Sequence, residues 1–291
     1  MSGVQLARRV LAPLALSGRA GAVAREAGRI SDVLEAELVL LHVGRDTAEA
    51  RAAFAQHLHA CGLGERQILF RPGKPERVIC RAAQELGAEL IVAGALESEG
   101  PLGYYIGSVA RRIARQAHCS VLLLTHPRAE PDRFQRWVVD VDDDPPGLAT
   151  IRFALELARI EKPDFIDVTR EYDLPGFGLA MERDLDVRGA EAMREQLHGY
   201  EEMKLTEFLS SVNTGDLETA GVRIRPVCLR GREGWEAAEH ARNRDADLLI
   251  TPAPPHLTFW DKFFQHGVEF ALESLPCALL LYRKGTTEPG A

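Results

Sequence analysis

The sequence repeats itself at a fixed offset: Gly73 aligns with Gly231 and Cys119 with Cys277, each pair 158 positions apart. Arg71-Pro72-Gly73-Lys74 meets Leu229-Arg230-Gly231-Arg232 at that offset. Gly87-Ala88-Glu89-Leu90-Ile91-Val92 meets Asp245-Ala246-Asp247-Leu248-Leu249-Ile250, and Cys119-Ser120-Val121-Leu122-Leu123-Leu124 meets Cys277-Ala278-Leu279-Leu280-Leu281-Tyr282. No gap is needed between the first match and the last. A chain built this way folds as two similar units rather than one irregular core.

Each copy alternates strands and helices. In the first, Val10–Leu16 reads as a strand, and Ala20, Val23, Ala27, Ile30 and Val33 share one helical face. Glu37–Val43 and Gln67–Arg71 read as strands around a helix at Arg51–Cys61, and Val78, Ile79, Ala82, Ala83 and Leu86 mark a further helix. Leu90–Ala93 and Val121–Leu124 are short unbroken apolar runs, the mark of strands covered on both faces of a parallel sheet. The second copy follows a linker at His126–Arg133, with strands expected at Trp137–Asp142, Phe165–Thr169, Val222–Leu229, Asp247–Thr251 and Ala278–Tyr282. It is longer between its second and third strands. Pro175–Gly178 reads as a loop there, and Met193, Leu197, Tyr200, Leu205, Phe208 and Val212 predict an amphipathic helix. The fold expected is α/β: two tandem doubly wound, five-stranded, mainly parallel sheets with right-handed crossovers. The units span residues 1–127 and 134–285, with a helical insertion at about 174–220.

Length and charge bound the function. Two domains of ordinary size fit in 291 residues, and a formal net charge of -8 argues against nucleic acid as a partner. No apolar run approaches the ~20 residues that span a bilayer, so no membrane partner is expected. Arg8 and Arg9 before Val10–Leu16 imitate the start of a signal peptide. Pro13 and Arg19 interrupt that pattern, and the repeat needs the segment as a strand. The five cysteines, Cys61, Cys80, Cys119, Cys228 and Cys277, lack paired spacing, which points to a reducing cytoplasm.

Several residue groups suggest chemistry and are weighed against plainer roles. Asp140, Asp142, Asp143 and Asp144 form an acidic run at a strand end, able to hold a cation through oxygen or to cap the next helix. His57 and Cys61 share a helical face, but His59 does not, which is too few ligands for zinc. Phe259, Trp260 and Phe263, flanked by His256 and His266, form an aromatic segment that suits an apolar ligand or partner surface, or plain core packing. Gly73-Lys74 is followed by Pro75 and lacks the earlier glycine of a P-loop, and no nucleophile elbow is present. No reaction is named by these motifs.

Gly73-Lys74-Pro75, then Ala88-Glu89-Leu90-Ile91-Val92-Ala93-Gly94, then Gly107-Ser108-Val109-Ala110 closing on Cys119-Ser120-Val121, resembles the universal stress protein pattern. The resemblance runs over nearly the whole chain, once per copy, and is similar to the tandem, E-type branch. It implies paired domains joined through their last strands, Val121–Leu124 and Ala278–Tyr282, with further homodimerisation open. It also implies a stress-response role through ligand or protein binding, with ATP or AMP as the family's ligand. The implied nucleotide residues here are Val43, Gly94, Gly107 and Ser108. The site is degenerate: Glu97 replaces the middle glycine, and Ala15 stands where nucleotide-binding members carry Asp. In the second copy Asp142 supplies that acid, but Pro252, Pro255, Gln265 and His266 replace the phosphate loop. The resemblance therefore implies a binding or regulatory protein, with a weak nucleotide binder or ATPase acting through the first unit as the alternative.

Overall fold

A computed structural model describes residues 8–64, 66–98, 104–128, 130–172, 187–231, 235–253 and 275–284. The chain forms two compact units, residues 1–133 with 272–291, and residues 134–271. The first unit opens with β1 (Arg9–Pro13), α1 (Ala20–Val33), β2 (Glu37–Val43), α2 (Ala48–Ala60) and β3 (Ile68–Arg71). It continues through α3 (Pro75–Glu85), β4 (Leu90–Gly94), β5 (Leu96–Ser98), β6 (Tyr104–Ile106), α4 (Ser108–Gln116) and β7 (Ser120–Leu124). Strands β7, β4, β1, β2 and β3 lie side by side in that order, all parallel. The apolar runs fill the centre: Val10, Leu11, Ile91, Val92, Val121 and Leu123 are all at most 1% exposed.

The second unit is built from β8 (Arg136–Asp140), α5 (Pro145–Glu161), β9 (Phe165–Tyr172), α6 (Val187–Ser210), α7 (Gly215–Thr219), β10 (Arg223–Arg230), α8 (Glu236–Asn243) and β11 (Leu248–Pro252). Its strands run in the order β10, β9, β8, β11, again parallel. Trp137 is fully buried on β8, and its indole N–H donates to the Phe134 carbonyl at 2.8 Å. The last strand, β12 (Ala278–Tyr282), is hydrogen-bonded antiparallel to β7, with Leu280 opposite Leu122. Sequence similarity counts β12 with the second copy, whereas in the fold it groups with the first unit. Arg283 completes the attachment, donating to the Ala114 carbonyl at 2.7 Å and the Cys119 carbonyl at 3.2 Å. These are carbonyls at and beyond the end of α4 that the helix itself leaves without partners.

The repeat offset survives in the structure. β4 and β11 begin at 90 and 248, and β7 and β12 at 120 and 278. Backbone conformation repeats too: Gly73 (φ 137°) and Gly231 (φ 157°) precede equivalent helices, and Gly87 (φ 62°) corresponds to Asp245 (φ 47°). Earlier in the copies the offset is smaller, because β1 and β8 begin at 9 and 136. The difference falls between β9 and β10, where α6 is inserted.

The buried face of α6 departs from the expected one. Leu205, Phe208 and Val212, which just follows the helix, are buried as foreseen, but Tyr200 is 49% exposed and Glu201 takes the inward position. Position 201 lies one turn before 205, so it shares that stripe, whereas 200 is rotated away. Glu201 is accommodated there by Arg170 of β9, at 3.5 Å. On the outer face of α6, Gly199 is exposed and a Cβ added to it would meet nothing within 4 Å. Gly199→Ala is therefore expected to raise the stability of the second unit by about 0.5–1 kcal/mol, through lost unfolded-state freedom alone. A urea titration followed by tryptophan fluorescence reads this directly, since the described tryptophans, Trp137 and Trp235, belong to that unit.

Candidate functional site

In the first unit the chain leaves β1 for β2 on one side and later returns to β4 on the other. A crevice opens at the carboxyl ends of strands where such a sheet reverses its order. A cavity of about 350 Å³ lies at this point, near the lower end of the range for small-molecule sites. Leu14 and Ala15 beyond β1, Val43 of β2, and Ala93 and Gly94 of β4 form its floor. Val23 of α1, Ile79 of α3, and Val109 and Ile113 of α4 close its sides.

Three helices begin at this cavity, which contains Ala20, Pro75 and Gly107. Gly107 is the N-cap of α4 and Arg19 that of α1, and in neither case does a side chain cap the first turn. The Gly107 N–H donates to the Ala95 carbonyl at 2.8 Å, and the Ala95 N–H to the Leu124 carbonyl at 2.8 Å, which fixes α4 against the sheet. A Cβ added at Gly94 would stand 3.4 Å from Val23 of α1, in ordinary contact across the cavity wall. Ser17, Arg19 and His42 supply the polar side chains of the described lining. His42 is oriented by its Nδ1, 2.9 Å from the Leu14 carbonyl oxygen, and by the rings of Phe54 and Phe70 at 4.8 and 5.6 Å.

Of the residues singled out in the sequence, Val43, Gly94 and Gly107 therefore line one cavity. Ser108 begins α4 but is exposed and does not line it. Ala15 does line it, on the exposed side of the β1 end. Between β4 and α4, where no strand is expected from the sequence, lies the antiparallel pair β5–β6, with Glu97 opposite Tyr105. The run Tyr104-Tyr105-Ile106 carries the β-propensity that marks it. Arg19 and His42 were not singled out, because isolated basic residues carry no motif.

In the second unit β8 ends at Asp140, two residues earlier than expected, and Asp142 is exposed beyond it. Asp140 accepts from the Thr169 hydroxyl at 2.9 Å, and Asp144 caps α5 by accepting from the Gly147 N–H at 2.7 Å. Much of the acidic run thus serves helix and strand ends. Among the described residues no group of three or more His, Cys, Asp or Glu is placed to hold a metal ion. Phe259, Trp260 and Phe263 lie outside the described residues.

The second unit holds a charge cluster that the sequence pattern does not reveal. Asp167 of β9, with a fully buried side chain, accepts from Arg225 of β10 at 2.8–2.9 Å, faces His240 of α8 at 2.9 Å, and accepts from Arg244 at 3.1 Å. Burial alone would push its carboxyl up. The bonds from His240 and Arg225 and the charges of Arg225 and Arg244 outweigh that and hold it below the usual carboxylate range. Burial pushes the Cys119 thiol up to about 12 and those of Cys80 and Cys228 to about 11. Such thiols stay protonated at neutral pH and are poor nucleophiles.

Residues 45–125 match the sequence model of the Universal stress protein family. A universal stress protein from Archaeoglobus fulgidus DSM 4304 shares the fold with a TM-score of 0.60 at 14% identity, over 96% of this chain and 97% of that one. A putative universal stress protein from Pseudomonas aeruginosa UCBPP-PA14 gives a TM-score of 0.60 at 18% identity, over 97% and 95% of the two chains. A functionally unknown protein from Pseudomonas aeruginosa PAO1 does so at 18% identity and a TM-score of 0.60, over 96% and 93%. The α/β fold of this chain is that of universal stress proteins. No helix among the described residues is long and apolar enough to cross a membrane.

Proposed function

We propose that the chain is a tandem of two universal-stress-type units that acts in the cytoplasm as a non-catalytic regulatory protein, through a small ligand held in the first unit. The observation that carries this is the preformed cavity at the end of β1 and β4, with three helix N-termini converging on it. Its described wall offers binding groups but no carboxylate, thiol or paired acid and base. A mainly hydrocarbon lining of this kind suits holding a ligand. Pairing of the two copies inside one chain, with homodimerisation as a further step, belongs to the same reading. The antiparallel register of β12 on β7 supports it.

A weak adenine-nucleotide site is the second reading, favoured by the convergence of Val43, Gly94 and Gly107 on one wall. Mass spectrometry of small molecules released from gently purified protein tests the first reading. About one organic ligand per chain is expected. An empty protein that shows no heat with any ligand up to millimolar concentration would sink it. Gly107→Asp should abolish binding of an anionic ligand while leaving the fold intact, because aspartate is a strong N-cap yet brings negative charge to the cavity wall. Calorimetry on this variant, with its thermal midpoint as control, reads both effects.

A further inference from the structure

Resting on the ligand-binding reading, we infer that the cavity of the first unit selects an amphiphilic monoanion, an apolar ring or chain with one anionic group, in preference to a nucleotide. The lining divides into two parts. The floor and sides are hydrocarbon: Leu14, Val23, Val43, Ile79, Val109 and Ile113 among them. Apolar surface continues to the rim, where Ala15 lines the cavity while exposed and Leu16 is 52% exposed. A rim of this composition favours an apolar body over a hydrated one.

The polar part has one sign. Arg19 and His42 are the described lining side chains able to carry charge, and both can only be cationic. Arg19 stands at the N-cap of α1, so its charge adds to the positive end of that helix and to that of α4. One anionic group is matched at this end. A sugar is served less well: with Ala15 at the β1 end, Ser17 and, in its neutral form, His42 are the described lining side chains able to accept from a ribose hydroxyl, and neither is a carboxylate that could take two. Each ribose hydroxyl buried without a partner forfeits about tenfold in affinity, which removes the advantage an adenine ring would bring. A carboxylate or phosphate on a hydrocarbon body meets no such penalty.

The test is calorimetry on the full chain with three probes: 2-naphthoate, its neutral amide 2-naphthamide, and adenosine 5′-monophosphate. Naphthoate is expected to bind at least tenfold more tightly than the amide and than the nucleotide. Arg19→Gln should reduce the naphthoate–amide difference to less than about threefold without weakening the amide, and Arg19→Lys should restore most of it. Circular dichroism melts establish that both variants fold. Equal affinity for naphthoate and amide overturns the inference, as does an undiminished difference in Arg19→Gln. Tighter binding of the nucleotide overturns it too while leaving the ligand-binding reading standing. Failure of all three probes, with nothing released from the native protein, removes the ligand-binding reading itself.

Discussion

Replacing Asp167 with alanine is expected to lower the stability of the second unit by about 3 kcal/mol, among the largest losses available to a single substitution. The carboxylate is fully buried and gathers Arg225 from β10 and both His240 and Arg244 from α8 and its C-cap. Its removal leaves their charges without a counter-ion and opens a void on the β9 face. The loss falls at the lower end for a broken buried ion pair because Arg225 and Arg244 are 49% and 37% exposed and can turn to water. Asp167→Asn retains the shape and an acceptor, and should lose about half as much. The pH dependence has a definite sign. Because the folded carboxyl titrates below its ordinary value, its contribution is present above the ordinary pKa of about 3.9 and is lost as the pH falls through the lower folded value. Urea midpoints followed by tryptophan fluorescence at pH 7 and below pH 4 check this. A gap between wild type and Asp167→Asn that persists unchanged at the lowest pH would contradict it.

Gly147→Ala is expected to cost about 3 kcal/mol despite exchanging a poor helix former for the best one. Gly147 lies in the first turn of α5, buried, with its N–H held by Asp144 at 2.7 Å. An added Cβ would drive into the Asp142 carbonyl oxygen and stand 2.9 Å from the capping oxygen of Asp144. The obstacle is backbone, so relief requires the Asp142–Asp144 turn to open and the cap to break. The contrast with Gly199→Ala is the internal control: the same substitution in α6, with open space around it, should stabilise. If both glycines respond alike in the tryptophan-monitored urea titration, helix propensity and not close approach governs position 147.

Much of the fold was legible because parallel sheets write themselves as short apolar runs. Leu90–Ala93 and Val121–Leu124 could be read as strands from composition alone, and the copy at Asp247–Thr251 confirmed the register of the repeat. The part of the site that depends on glycine was legible as well. Gly94 and Gly107 stand out in sequence as glycines at a strand end and a helix start, the places where a crevice of this kind opens. Arg19 and His42 carried no such mark, since either residue at either position reads as ordinary surface. The inward turn of Glu201 in place of Tyr200 was hidden for a related reason. Hydrophobicity favours tyrosine on a buried stripe, and Arg170 opposite, with Lys204 on the same helix, makes glutamate acceptable there.

The sequence by itself determined the repeat at a fixed offset and the order of the parallel strands with the helices between them, because each rests on patterns within a few residues. Tertiary structure alone decided which unit holds β12, since a strand's partner is chosen by hydrogen bonding across the chain and not by sequence kinship. It decided the Asp167 cluster in the same way, assembling residues 167, 225, 240 and 244, whose charges have no reason to pair until β9, β10 and α8 are packed. The cavity belongs to this second class too: its apolar floor and cationic rim come from strand ends and helix starts far apart in the chain, and their convergence is a property of the sheet's reversal between β1 and β4.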